Sequence, residues 1–274
     1  GEILVNTHFV SIDKRVNAHI QFLPTQLVIQ NAIWDMAASD ITTNFKEFTV
    51  NDFNLESNDQ LIHIDGKASK SIDDLLAIDL HNIDLEFISG LLLRNAAIEF
   101  GGKTTGQVNL TRLFDKPIIE ADVSISDFLF NHAYWGNVHA TSNFDNINKK
   151  INFGGVVLAD NRDTTAVVDG GFYLGKDSLD LKGKAKRLDL RFLDYYLSSV
   201  LQNVRGYGSG DIHVYGNTRK NTITVTADAL AEEAQASIDF LKTTYFFHDS
   251  IHVTPTEIKL KNITILDTEG NKGK

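Results

Sequence analysis

Apolar and polar residues alternate along most of this chain with a period of two, the pattern of strands that face an apolar compartment on one side and water on the other. The clearest runs are Leu61 to Ala68, Gln107 to Thr111, Ile119 to Ser126, Ala166 to Leu174, Ser178 to Ala185, Asp211 to Tyr215, Thr222 to Ala227 and Glu257 to Leu266. Between them sit turn clusters such as Ser57-Asn58-Asp59, Asp145-Asn146-Ile147-Asn148, Gly175-Lys176-Asp177 and Gly216-Asn217-Thr218, whose residues tolerate turn and left-handed conformations. Strands of this length joined this tightly imply roughly 18 to 22 of them, far above an ordinary sheet. A flat sheet of that size would not persist in water. It must close, split into a sandwich, or coil into an elongated form.

Two stretches leave the pattern. Asp84 to Asn95 carries Phe87, Ile88, Leu91 and Leu92 at helical spacing, and Asp189 to Val204 carries Phe192, Leu193, Tyr196, Leu197, Val200 and Leu201 in the same way. The spacing predicts short helices near residues 86–94 and 191–203, each laying an apolar stripe on the sheet.

These stretches also open an internal correspondence. Ile83-Asp84-Leu85-Glu86-Phe87-Ile88 matches Leu188-Asp189-Leu190-Arg191-Phe192-Leu193, and further on Gly102, Gly106, Val108 and Leu110 align with Gly206, Gly210, Ile212 and Val214. Upstream, Ile62, Ile64, Gly66, Lys67 and Ala68 resemble Leu179, Leu181, Gly183, Lys184 and Ala185, and a strand echo links 24–31 to 255–262. The matches suggest a unit of roughly 105 to 115 residues, with internal repeats at about 61–130 and 178–230 within one elongated segment. Glycines at 66, 106, 183 and 210 fall in alternating runs, where they permit the bends of a strongly curved sheet. The fold expected is all-β: an elongated, U-shaped, solenoid-like curved sheet, a β-taco, with the short helices beside it.

Charge narrows the partners. Twenty-six basic residues against thirty-six acidic ones give a net charge of −10, the wrong sign for holding nucleic acid through its phosphates. The absence of cysteine removes disulfides, thiolate metal sites and thiol nucleophiles. No run reaches the length of a membrane helix. Gly1 and the ending Glu269-Gly270-Asn271-Lys272-Gly273-Lys274 read as the limits of a fragment of a longer protein.

Searches for chemistry lead away from an enzyme. His248 and His252 have the spacing of helical zinc proteases, but Asp249 stands where the glutamate belongs and the segment reads as a turn entering a strand, where four residues span roughly 13 Å. Gly101 to Gly106 has the glycine spacing of a phosphate loop but continues with Gln107 and Val108. Ser209 lies among Gly206, Gly208 and Gly210, yet Tyr207 occupies the glycine position of a nucleophile elbow. The pairs Asp73-Asp74 and Glu232-Glu233 read as solvated charge, since neighbours on a strand point to opposite faces. The aromatic groups Phe128 to Trp135 and Tyr245-Phe246-Phe247 fit core packing better than a sugar platform. No metal and no cofactor is expected.

The segment Thr243-Thr244-Tyr245-Phe246-Phe247-His248-Asp249-Ser250-Ile251, followed by Pro255, Ile258, Asn262, Asp267, Gly270 and Asn271, resembles the Bacteroidetes branch of the TamB group within the wider AsmA-like proteins. The order of helical stretch, glycine pair, alternating strand and Pro117 is similar too, so that the resemblance runs from about Gln21 to Lys274. The resemblance implies a periplasmic U-shaped trough with an apolar interior, in a full-length protein anchored in the inner membrane. It also implies contact with outer-membrane assembly machinery through regions outside this sequence.

Together these readings point to a nonenzymatic envelope segment whose groove supports phospholipid transport, outer-membrane protein assembly, or both. Its partners would be phospholipid acyl chains or outer-membrane protein precursors. The lining expected from alternation is Ile62, Ile64, Val108, Leu110, Val123, Ile125, Leu179, Leu181, Ile212, Val214, Ile223, Val225, Ile258 and Leu260. Alternation fixes that one parity faces inward without saying which. The alternative is a β-solenoid or sandwich of a surface adhesin or carbohydrate-binding protein, with a closed, dry core.

Overall fold

The computed structural model describes residues 2–12, 14–92, 99–130, 132–159, 163–196, 198, 201–220, 222–238, 243–260, 265–266, 270 and 272–273. Over these residues the chain forms one large, curved antiparallel sheet that does not close into a barrel, of 17 strands with three short pieces beyond them, and two short helices. The strands are β1 (Val5–Ile12), β2 (Arg15–Phe22), β3 (Thr25–Ile29), β4 (Ala32–Met36), β5 (Ser39–Thr43), β6 (Phe48–Ser57), β7 (Gln60–Ala68) and β8 (Leu75–Asp84). Helix α1 (Leu85–Leu92) leads to β9 (Phe100–Thr111), β10 (Ile118–Phe130), β11 (Ala133–Asp145), β12 (Lys150–Leu158), β13 (Thr164–Tyr173) and β14 (Ser178–Asp189). A 3-10 turn at Leu190–Phe192 and helix α2 (Leu193–Tyr196) precede β15 (Leu201–Asn217), β16 (Thr222–Ile238) and β17 (Thr243–Val253). Short pieces β18 (Ile258–Leu260), β19 (Ile265–Leu266) and β20 (Lys272–Gly273) extend the far edge.

The sheet is a meander, each arm pairing with the next in sequence. Strands β2 and β3 make one outgoing arm and β4 and β5 the returning one, in a single register from Ala18 opposite Thr43 to Ile29 opposite Ala32. Gln30 and Asn31 turn the chain between them with φ of 49° and 66°, the left-handed pair that a two-residue hairpin requires. Both arms break at facing points, one at Leu23-Pro24, where proline has no amide to donate, and the other at Ala37-Ala38.

A row of bulges crosses the sheet in line with that break. Register shifts fall after Val50 in β6, Leu80 in β8, Ala185 in β14 and Ala231 in β16, and between Ile125 and Leu129 in β10. In each case one polar residue of the bulge is left-handed: Asp52, Asn82, Asp127, Arg187 and Glu233 have φ between 51° and 56°. The extra residue frees a backbone N–H, and a short polar side chain on the neighbouring strand takes it in four of these bulges. Asp65 Oδ1 accepts from Asp52 at 3.1 Å, Thr105 Oγ1 from Asn82 at 3.0 Å, Asn137 Oδ1 from Asp127 at 3.2 Å and Ser209 Oγ from Arg187 at 2.9 Å. Bulges increase local bend and twist, so this row bends the sheet along its length. At Gly66, opposite Val50, the backbone has φ of 115° and a Cβ would run into the carbonyl oxygen of Leu75, so only glycine fits the inside of the bend.

The helices follow two of the bulges. Helix α1 covers the expected site through Leu92, and residues 93 and 94 lie outside the described ones. The second helical segment is shorter than the sequence suggests. It ends at Tyr196, and Leu201 is already in β15, paired with Ile238 of β16. Asp194 explains the early exit: its carboxylate accepts from the Val204 backbone N–H at 2.6 Å and from Arg205 at 2.9 Å, drawing the chain back into the sheet. The Ile83–Ile88 and Leu188–Leu193 segments occupy equivalent places after a bulge, whereas Ile62–Ala68 lies in β7, one strand before the strand that enters α1.

Candidate functional site

Directly opposed residues of an antiparallel pair share a face, so the registers can be followed from strand to strand. Ile64 opposes Ile78, which opposes Val108, then Ala121, Ser142, Phe153, Gly170, Leu181, Val214 and Val225. A parallel row runs through Ile62, Leu80, Gly106, Val123, Ala140, Gly155, Val168, Gly183, Ile212, Ala227, Val253 and Ile258. Ile125 belongs to a third row that ends at Leu260, Leu110 sits beside Leu76 and Ile119, and Leu179 lies beside Phe172 and reaches Ile223 through Gly216. Every lining position nominated from the sequence therefore lies on one face of one sheet.

That face is the inner one. All three clusters of buried apolar residues and both helices lie on it, while the outer face carries Asp122, Lys182, Lys184 and Asp211, all exposed. The outer face is laced by cross-strand pairs, His19 with Asp40 at 2.8 Å, His213 with Asp180 at 2.8 Å and His252 with Asp228.

The row of bulges divides the inner face into two strips. On the side of the helices the face is covered. Phe87 of α1 packs on Trp34, ring centroids 4.7 Å apart, with Met36, Leu55 and Ile83 around them. Phe192 stacks on Trp135 at 4.2 Å and 17°, over Ala166, Ala185 and Leu188. On the other side the third cluster, Val50, Ala68 and Leu76, fills the end nearest β6 to β8, with Ile64 and Leu110 packed against it, and beyond it no layer covers the lane among the described residues. Ile64, Val108, Leu110, Val123, Leu179, Leu181, Ile212 and Val214 are half-buried, and Ile223 and Val225 are exposed. Only Ile125, next to the bulge row, is buried among the nominated positions whose side chains are described. Glycine and alanine alternate with the larger residues along the rows, at Gly106, Ala121, Gly155, Gly170 and Gly183, which keeps the strip shallow and smooth.

Among the described residues the other motifs do not assemble into a reacting group. His248 and His252 both lie within β17, not in a turn leading into a strand; His248 is exposed and His252 pairs with Asp228. Gly101 to Gly106 is part of β9. Ser209 Oγ donates to Glu232 at 2.9 Å while capping the Arg187 bulge. Glu232 and Glu233 occupy a bulge, so the opposite-face geometry expected of strand neighbours does not apply to them. Asp74 is engaged by Ser69 at 2.5 Å and by Lys67 at 3.4 Å, and these hold its carboxyl below the usual aspartate range. Among the described residues no three His, Asp or Glu side chains converge as a metal site requires, and no helix is long and apolar enough to cross a membrane.

Sequence reasoning assigned the group ending at Trp135 to core packing, but overlooked Trp34, the seating of a helix on each tryptophan, and the row of polar bulges. The bulges had a signal: Val50-Asn51-Asp52-Phe53, Leu80-His81-Asn82-Ile83, Ile125-Ser126-Asp127-Phe128, Ala185-Lys186-Arg187-Leu188 and Ala231-Glu232-Glu233-Ala234 all place two polar residues between apolar ones, which breaks the period of two.

No protein-family model matches this chain, and neither the curated proteins nor the solved structures include a significant match.

Proposed function

We infer that this chain is a nonenzymatic segment of a periplasmic β-trough of the TamB and AsmA-like kind, in which the uncovered inner strip shields acyl chains of phospholipids in transit between the two bacterial membranes. Precursors of outer-membrane proteins, whose strands also present an apolar face, fit the same strip. One observation carries the reading: a lane of apolar, glycine and alanine positions, interrupted by Ser142, that runs in register from Ile64 to Val225 on the inside of an open sheet and, beyond the cluster of Val50, Ala68 and Leu76, has no protein layer over it among the described residues. Fully burying a Val, Leu or Ile side chain is worth about 1.5 to 3 kcal/mol, so a half-buried row of them retains a drive to take on an apolar occupant. Acyl chains satisfy it without hydrogen-bonding demands, and a conduit of this sort uses no reacting side chain. A closed adhesin or sandwich core would need a second sheet against the lane, and the described strands form one sheet.

Photocrosslinking residues at Val108, Leu181 and Val225 test the reading in cells, with Asn109 and Lys182 on the outer face as controls. Lipid or precursor captured at the first three and not at the controls is the expected result. Capture confined to the controls, together with lipid-free protein in native mass spectrometry, would rule the groove out.

A further inference from the structure

The meander puts alternate turns on opposite rims of the trough, and the rim remote from the helices has a composition unlike the rest of the chain. Its middle stretch, between the β1–β2 turn and the turn at 254–257, is built from residues 44–47, 69–74, 112–117, 146–149, 174–177 and 218–220. Neighbouring turns are tied together. Phe114 N–H donates to Ser69 O at 3.1 Å, Asn146 to Pro117 O at 2.9 Å, Leu174 N–H to Lys149 O at 3.0 Å and Thr218 N–H to Asp177 O at 2.8 Å. The rim is therefore one continuous ledge.

Large apolar side chains protrude from it in succession: Phe45 is 68% exposed, Ile72 60%, Phe114 43%, Ile147 90% and Leu174 44%. Turn tips gain little in folding by displaying such groups, because each leaves apolar area in water, although the Phe114 ring also packs on Phe48 at 5.6 Å. Every one of them has an exposed lysine within two residues: Lys46, Lys70, Lys116, Lys149 and Lys176 in that order, followed on the next turn by Arg219 and Lys220. Four of the nearby acids are neutralised within the ledge, Asp115 by Arg112 at 2.5 Å, Asp177 by Arg219 at 3.2 Å, and Glu47 and Asp74 by Lys67 at 3.0 and 3.4 Å, while Asp73 is held by Ser71 alone among the described residues. Lys46, Lys70, Lys116 and Lys220 make no ion pair among the described residues. In a chain of net charge −10, a ledge of exposed lysines interleaved with protruding apolar side chains is a local inversion of character.

We propose that this ledge is a membrane-contact edge that lies on an anionic bilayer surface. Its lysines meet the lipid phosphates, and Phe45, Phe114, Ile147 and Leu174 enter the headgroup region. Apolar groups beside cations are what interfacial binding needs, since the lysines bring the surface to an anionic bilayer and the buried apolar area holds it there. A protein partner with an acidic surface would use the lysines but would leave apolar groups spread along a whole rim without matching pockets. The proposal concerns a surface distinct from the inner strip and does not require that the strip carry lipid.

Vesicle co-flotation tests it, using the protein as described here with phosphatidylcholine vesicles alone or doped with phosphatidylglycerol. Binding to the doped vesicles that weakens as salt is raised is expected. The charge variant K46E/K116E/K149E/K176E and the apolar variant Phe45→Ser/Phe114→Ser/Ile147→Ser/Leu174→Ser should each lower it at least about tenfold, since each lysine near an anionic surface is worth roughly fivefold in affinity. These positions are exposed, so an unchanged circular dichroism spectrum is the check that the variants fold. Absence of binding to doped vesicles overturns the proposal, as does equal binding by the parent protein and both folded variants. A change of sedimentation coefficient in the variants without a change in flotation would identify the ledge as a contact between copies and also overturn it. Crosslinking at Val108 and Leu181 reads the groove independently, so failure of either idea is distinguishable.

Discussion

The indole of Trp135 and the ring of Phe192 lie face to face, 4.2 Å between centroids and 17° apart in plane. They join β11 to the 3-10 turn that follows β14, elements brought together only by the curvature of the sheet. Trp34 and Phe87 repeat the arrangement at the first helix. In both places the indole Nε1 is buried without a hydrogen-bond partner, so the contact is made by shape and apolar area.

Truncating Phe192 to alanine should therefore destabilise the protein by about 3 to 5 kcal/mol in urea unfolding, since it is 9% exposed within the larger core cluster. Trp135→Phe should cost much less than Trp135→Ala, because it keeps a ring against Phe192 and removes an unpaired N–H. The double variant F192A/W135A should fall short of the sum by about 1 kcal/mol.

The bulge row gives a second expectation. Gly66→Ala places a side chain where the Leu75 carbonyl stands, at a φ of 115°, and should cost more than about 2 kcal/mol with a loss of cooperativity in thermal unfolding. Ser209→Ala removes the acceptor of the Arg187 N–H and the donor to Glu232 in one step. A cost of about 1 kcal/mol is expected, and Ser209→Thr should restore part of it.

Acid should weaken the ledge at Asp74 and Asp145. Asp74, held low chiefly by the Ser69 hydroxyl and then by Lys67, and Asp145, held low by Asn148, have folded-state pKa values below those of the unfolded chain. Their contribution is complete above the ordinary aspartate range and disappears as the pH falls through their depressed folded values. Lys67, raised chiefly by its hydrogen bond to Glu47 and then by Asp74, contributes below the ordinary lysine value and ceases to do so as the pH rises through its folded value. Amide exchange at residues 69–74 and 146–149 should accelerate, beyond its intrinsic pH dependence, at the acid limit, and Asp74→Asn should flatten the first of these responses.

Within the lane, Leu181 and Val214 oppose each other and are half-buried. Replacing both by aspartate should leave the strands paired while removing most lipid retained by the purified protein, because two carboxylates do not share an apolar strip with acyl chains. Organic extraction and mass spectrometry read the result.

The alternation of Leu61 to Ala68 or Ser178 to Ala185 was enough to name strands, to require a curved all-β body and to give each strand one apolar parity. Local sterics and side-chain spacing act over a few residues, and those are written in order along the chain. Which parities join into one face was a different matter. Each polar doublet such as Leu80-His81-Asn82-Ile83 inserts a residue and reverses the parity beyond it, so continuity from Ile64 to Val225 depends on pairings between distant strands. The seating of Phe87 on Trp34 and of Phe192 on Trp135 is of the same kind. The basic ledge is too, since Phe45 and Leu174 become neighbours on one rim only because the meander returns every second turn to the same side. Period and composition are properties of segments, whereas faces, rims and stacked rings are properties of the register between them, and tertiary structure alone decided those.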